Sequence, residues 1–392
     1  MKKKFALAAV AFVSTAVLAA CGAAPGGSSS TSGTKIGDDI KIGYNLELSG
    51  TVAAYGQAEK NAADLAVAEI NKAGGVDGKK IKVVSKDNKS DNTEAATVTT
   101  NLATESKVNA IVGPATSGAV AAATPNATSA AVPLVTPSGT QDSLTVSSKG
   151  KVNEYVFRST FQDSFQGQVL AQYATDNLKA KKVVLYYDSS SDYAKGIAEN
   201  FKKHYKGDIV TEETFQSKDT DFQAALTKIK GKEFDAIVMP GYYTETGLIT
   251  KQAREMGIDK PILGPDGFAD SKFIESAGAA NTNNVFYVSG YSTKVSLSSK
   301  STAFVDAYKA KYGEEPNMFA ALTYDSVYMI ADAAKGAKTS KDIAENLASL
   351  KNFEGVTGKM TIDKEHNPIK SAIMIGLNNG QEATAEAVEV KK

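Results

Sequence analysis

Apolar residues along this chain recur in two alternating rhythms. A short run such as KIGYNLEL (41–48) reads as a strand, and QAEKNAADLAVAEINKA (57–73) places Ala62, Leu65, Ala66 and Ile70 at three- and four-residue spacing, the period of a helix with one buried face. SGTVAAYG, between them, reads as a loop. The order then repeats: a strand in KKIKVVSKDN, a helix over 91–107 with Asp91 or Asn92 as its cap, a strand in VNAIVGP, a helix in SGAVAAATPNATSA and a strand in AVPLVTP. An extended piece, EYVFRST (154–160), leads into a second series. Its strands are KKVVLYYD, DIVTEETF, FDAIVMPG and part of KPILGPDGF, each separated by a helical stretch. NVFYVSGY returns to extended structure, three helices follow between 301 and 350, and SAIMIGLNNG (371–380) reads as a last strand. Strand–helix–strand order with short joints predicts an α/β fold with mostly parallel sheets covered on both faces.

The first forty residues follow neither rhythm. Lys2, Lys3 and Lys4 precede a 16-residue apolar run, Phe5–Ala20, that is interrupted only by Ser14 and Thr15. This is the architecture of a secretory signal, and the run falls short of the ~20 residues that span a bilayer. Leu18-Ala19-Ala20-Cys21-Gly22 resembles the lipobox of bacterial lipoproteins. That resemblance implies cleavage before Cys21 and acylation of its thiol, giving a lipid anchor at the extracytoplasmic face of the cell membrane. Residues 1–20 are thus expected to be a signal peptide. The Gly-, Ser- and Thr-rich stretch 21–39 has no apolar period and is expected to be a flexible tether.

Composition narrows the chemistry. The chain balances 44 basic against 44 acidic residues and has no basic stripe, so no nucleic-acid partner is expected. Cys21 is the only cysteine, which excludes an intrachain disulfide and a thiolate metal cluster. The two histidines, His204 in NFKKHYKGD and His366 in DKEHNP, read as surface residues. Neither sits in a triad or zinc-ligand context, and no G-x-S-x-G elbow occurs. A secreted hydrolase therefore lacks its machinery, and neither metal nor cofactor is expected.

AYGQ (54–57), AVAEINKAGG (66–75), AIVGPATSG (110–118), PLVTPSGT (133–140), YDSSSDYAKG (187–196), DFQAALTKIKGKEFDAIVMPGYYTETG (221–247), KQAREMGI (251–258) and ILGPDGF (262–268) together resemble the branched-chain amino-acid binding proteins of bacterial ABC importers, of the type I periplasmic-binding-protein family. The resemblance implies two doubly wound, Rossmann-like lobes joined by three crossover strands, with a ligand cleft between them. Lobe 1 is expected to comprise 40–160 and 289–366, and lobe 2 161–288 and 367–392. The crossovers fall near 158–162, 286–291 and 366–371. A monomer is expected, with an ABC permease and its ATPase as partners. Ligand-sensing lipoproteins of the same fold, and binding proteins for other amino acids, amides, urea or aromatic acids, are the alternatives.

By the same resemblance, Ser117 would donate to a ligand carboxylate, and so would Thr140, while the carbonyl of Ser138 would accept from the ammonium. Asp266 would be the acidic ammonium partner, although family members often carry the longer Glu there. Tyr55, Tyr193 and Tyr242 would wall the pocket. Each residue also has a plainer role: helix cap for Ser117, turn residues for Ser138, Thr140 and Asp266, packing for the tyrosines. Phe319 reads equally as pocket wall or as helix core.

Overall fold

The chain is described by a computed structural model covering residues 32–147 and 149–388. Cys21, the signal peptide and the start of the tether lie outside the described residues. The first sheet is built from β1 (Ile40–Leu46), α1 (Ala53–Lys72), β2 (Ile81–Asp87), α2 (Asn92–Thr100), β3 (Ala110–Val112), α3 (Ser117–Ala130), β4 (Leu134–Thr136) and β5 (Val156–Arg158). Its five strands run in the order β2-β1-β3-β4-β5, all parallel.

The second series runs α4 (Asp163–Asp176), β6 (Lys182–Asp188), α5 (Asp192–His204), β7 (Asp208–Phe215), α6 (Gln223–Lys230), β8 (Ala236–Val238), α7 (Tyr243–Glu255), β9 (Ile262–Gly264), α8 (Ser271–Ala277) and β10 (Val285–Ser289). After α9 (Ser301–Tyr312), α10 (Met318–Ala333), α11 (Ser340–Ala348) and a hairpin of β11 (Phe353–Gly355) with β12 (Gly358–Met360), the chain adds β13 (Ala372–Asn378) and β14 (Gln381–Val388). The seven-stranded sheet β14-β13-β10-β9-β8-β6-β7 is parallel except where β13 meets β10 and β14.

Both sheets are covered on two faces, as their near-continuous apolar strands require. Ile42 and Tyr44 pack against Ala66 and Ile70 of α1, Ile330 of α10 and Leu347 of α11. Ile111 and Leu134 face the other way, onto Leu102, Val120 and Ala127. In the second sheet, Val183 and Leu185 meet Leu170 of α4 and Ile197 of α5, while Val184 and Ile237 meet Leu226 and Ile249.

Four expectations change. Helix α1 starts at Ala53, so Tyr55 and Gly56 lie in its first turn and not in a loop. Residues 34–36, expected in the tether, are tied down: Thr34 N donates to Ser340 Oγ, Ile36 N donates to Lys338 O, and Ile36 is buried. Ser340 N also donates to Thr34 O, and Asn109 Nδ2 donates to Thr34 O and Lys35 O at 3.3 Å, so the segment is held from two sides. His366 is not at the surface. It stacks on Phe157 at 4.2 Å, its Nδ1 lies 3.0 Å from Val156 O, and burial lowers its pKa. The hairpin β11–β12 and strand β14 were not anticipated.

Gly56 is where α1 meets β1. A Cβ there would lie 2.3 Å from Glu47 O and 2.5 Å from Glu47 C. Gly56→Ala is therefore expected to lower stability by ~1–3 kcal/mol through overpacking, despite alanine's better helix propensity. Urea unfolding followed by circular dichroism reads this out, and a midpoint at or above wild type would show that the helix can back away freely.

Candidate functional site

In open α/β sheets, ligands bind beyond the carboxyl ends of the strands where strand order reverses. Here those ends converge from both sheets on one narrow cavity of about 10 Å³. Its walls are Tyr55 of α1, Ala115 and Thr116 after β3, Ser138 after β4, Tyr193 of α5, Tyr242 after β8, Asp266 and Gly267 after β9, and Phe319 of α10. That is about the room of a single water, so the walls stand nearly closed on one another.

The aromatic side is two stacked pairs joined edge to face. Tyr193 and Tyr242 lie parallel, 3° apart in plane with centroids at 5.0 Å. Tyr55 stacks on Phe319 at 4.0 Å and meets Tyr242 edge-on at 6.0 Å. Tyr55 Oη donates to Gly267 O at 2.6 Å, joining α1 to the turn after β9.

Asp266 is the acidic end. Tyr193 Oη donates to its Oδ1 at 2.5 Å, and its backbone N–H donates to Gln166 Oε1 at 2.9 Å. Burial pushes the carboxyl up to about 6, against the Tyr193 hydrogen bond that pulls it down. The polar floor is a pair of loops. Gly113, at φ +92°, turns the chain out of β3, and a Cβ there would strike Asn45 O at 2.3 Å. Beyond it, Ala115 N donates to Glu47 Oε2 at 2.9 Å, and Thr116 N and Oγ1 donate to Glu47 Oε1 at 3.1 and 3.0 Å. Across the loop, Ser138 Oγ lies 2.6 Å from Glu59 Oε1 and 3.0 Å from Ala115 O. Burial raises the pKa of both glutamates, and Glu47 raises that of Glu59 further.

Of the seven expected ligand residues, Tyr55, Ser138, Tyr193, Tyr242 and Asp266 line this cavity together. Ser117 and Thr140 stand behind its wall. Thr116, not Ser117, is the cap residue of α3, and its side chain turns to Glu47. Ser117 Oγ accepts from Thr140 N and Gln141 N, both at 3.2 Å, so it ties the two loops together. Thr140 Oγ1 is buried and finds no partner among the described residues. Phe319 belongs to the wall. Glu47, Glu59 and Gln166 escaped the sequence reading. The one signal for Glu59 was its place four residues after Tyr55 on the apolar stripe of α1, where a carboxylate is out of pattern.

The sequence profile of the family described as periplasmic binding protein matches residues 39–381. Among solved structures, the branched-chain amino acid transporter substrate-binding protein LivJ of Streptococcus pneumoniae, in complex with isoleucine, is 60% identical; the match covers 89% of this chain and 99% of that one, with a TM-score of 0.87. The leucine-binding protein LivK of Thermotoga maritima is 32% identical, covers 89% and 98%, and has a TM-score of 0.82. The Leu/Ile/Val-binding protein BraC3 of Rhizobium johnstonii is 31% identical over 329 residues, 82% of this chain and 87% of the relative. A profile spanning most of the chain, relatives at this identity and two sheets whose strand ends share one small cavity agree: the chain belongs to the periplasmic binding protein family.

Proposed function

We propose that this chain is the extracytoplasmic substrate-binding component of an ABC importer. It takes a branched-chain amino acid (leucine, isoleucine or valine), holds it between two lobes and delivers it unchanged to a membrane permease and its ATPase. The observation that carries the reading is the pairing, in one small cavity, of a buried carboxylate with an apolar aromatic wall and a floor of backbone and hydroxyl groups. A zwitterion taken out of water needs a partner at each charged end. Asp266 serves the ammonium, together with the carbonyl of Ser138. Ser117 and Thr140 serve the carboxylate through the loops they join. Tyr55, Tyr193, Tyr242 and Phe319 enclose the branched side chain. The isoleucine complex of the 60% identical pneumococcal protein supports the ligand class.

The lobes of this reading are 40–160 with 289–366, and 161–288 with 367–392. They bend about crossovers near 158–162, 286–291 and 366–371. A ligand that touches both lobes binds the closed arrangement better, and that difference in affinity is what shifts the population. Acylated Cys21 anchors the body to the membrane through the tether.

Isothermal titration of the body lacking residues 1–20 tests the assignment. Saturable one-to-one binding is expected for leucine, isoleucine or valine. Silence toward all three, with binding of alanine, threonine, urea or an aromatic acid, would move the protein to another ligand class.

A further inference from the structure

Two glutamates meet behind the polar floor, and their surroundings differ in kind. Glu47 is surrounded by donors: two backbone N–H groups and a hydroxyl point at its oxygens. An ionised carboxylate, which only accepts, suits that setting. Glu59 faces a different problem. It is fully buried, and its Oε2 finds no partner among the described residues. Its Oε1 is 2.6 Å from Ser138 Oγ, which also lies 3.0 Å from Ala115 O.

A serine hydroxyl carries one hydrogen. If Glu59 were ionised, Ser138 would face two acceptors and could satisfy one. A proton on Glu59 Oε1 removes the conflict: the acid donates to Ser138 Oγ, and Ser138 donates to Ala115 O. Both backbone groups of Ala115 are then held, its N–H by an ionised Glu47 and its carbonyl by a relay from a neutral Glu59.

We propose that Glu59 is a positioning residue of the ligand site, acting as a neutral acid that orients Ser138 and, through it, the loop that begins at Ala115. The proposal rests on the ligand site described above, since Ser138 and Ala115 form its wall. Neutrality has a second effect. The loop held by the relay is the one that would receive a ligand carboxylate. A second negative charge behind it would oppose that anion. Among the described residues, the groups set against Glu59 are Glu47 from the end of β1, whose charge favours the protonated form, and the neutral Ser138 from the loop after β4.

Two measurements test this. In protein labelled with ¹³C at glutamate side chains, the Glu59 carboxyl resonance, identified by its loss in Glu59→Gln, should report the protonated acid at neutral pH. An ionised Glu59 there would overturn the proposal whether or not any amino acid binds. Second, isoleucine affinity is measured by calorimetry for wild type, Glu59→Gln and Glu59→Ala from neutral to alkaline pH. Glu59→Ala should bind at least tenfold more weakly. Glu59→Gln, whose amide supplies the missing donor, should recover affinity to within about threefold and lose the alkaline decline expected of wild type. Equal affinities for Ala and Gln variants, or an alkaline decline that persists in Glu59→Gln, would overturn the relay. Failure of wild type to bind any branched-chain amino acid would instead count against the proposed ligand class and leave the resonance to decide the relay.

Discussion

Asp266→Ala is expected to weaken leucine binding by at least tenfold while the fold persists. Removing one partner of a buried charged hydrogen bond costs ~2–5 kcal/mol, and each 1.4 kcal/mol is tenfold in affinity. The side chain is nearly inaccessible, and Tyr193 Oη holds one of its oxygens at 2.5 Å. The ammonium of the ligand would therefore meet a carboxylate whose orientation is set in advance. The shorter reach of Asp compared with Glu is offset by its place: the turn after β9 brings Asp266 itself to the cavity wall. A pH dependence follows. Burial pushes the carboxyl up to about 6, and an ammonium beside it favours the ionised form. Affinity should fall as pH drops through about 6, and binding near that pH should release protons, measurable by calorimetry in buffers of different ionisation enthalpy. Asp266→Asn should lose both effects. An unchanged dissociation constant in Asp266→Ala would place the ammonium elsewhere.

The largest expected loss of stability lies away from the ligand cavity. Lys370 Nζ donates to Ser159 O at 3.0 Å and to Thr357 Oγ1 at 2.5 Å. Thr357 Oγ1 in turn donates to Asp325 Oδ2 at 2.5 Å, and Asp325 also accepts from Val356 N and Thr357 N at 2.7 and 2.9 Å. The network has little slack, since a Cβ on Gly355 would strike Asp325 Oδ2 at 2.3 Å. Asp325→Ala leaves an ammonium without its counter-charge and two buried N–H groups without acceptors. A cost of ~3–5 kcal/mol is expected, read as a lower urea midpoint. Burial lowers the Lys370 pKa to about 8, below the ~10.4 of an unfolded lysine. Between those values the unfolded chain binds more protons than the folded one, so this group makes stability rise with pH in that window. Removing Asp325 removes the charge that holds the value up, so the rise should begin at lower pH in Asp325→Ala. A loss under 1 kcal/mol would mean that water or a shifted side chain replaces the carboxylate.

Most of the framework was legible because it is written in local rhythm. The strands around Ile42, Ile111, Leu134, Val184 and Ile237 are apolar runs bounded by turn residues, and the helices between them keep a clear buried stripe. Strand ends followed by small residues or tyrosines marked the loops that meet at the cavity. Long-range placement was not legible. His366 sits in a sequence that spells a surface turn, and only the fold brings Phe157 beneath it. Strand β14 is polar and exposed along much of its length, so it lacks an apolar signature and is held by pairing with β13. Ser117 looked like a helix cap because of its neighbours in sequence, yet its oxygen serves Thr140 and Gln141, more than twenty residues away. Glu47 and Glu59 drew no reading from the sequence, because only the fold brings two loops and a helix around them.

The hydrogen bond from Tyr55 Oη to Gly267 O involves no ligand atom. On the proposed hinge its partners belong to opposite lobes, so every opening breaks it, whichever amino acid is inside. Release time then has a component common to all ligands, added to whatever each one's own contacts contribute. Differences among leucine, isoleucine and valine would appear on top of that shared interval, mainly in the dissociation rate. A permease that pries the lobes apart would act on the same bond, and Tyr55→Phe would shorten the dwell time of every ligand by a similar factor without choosing among them.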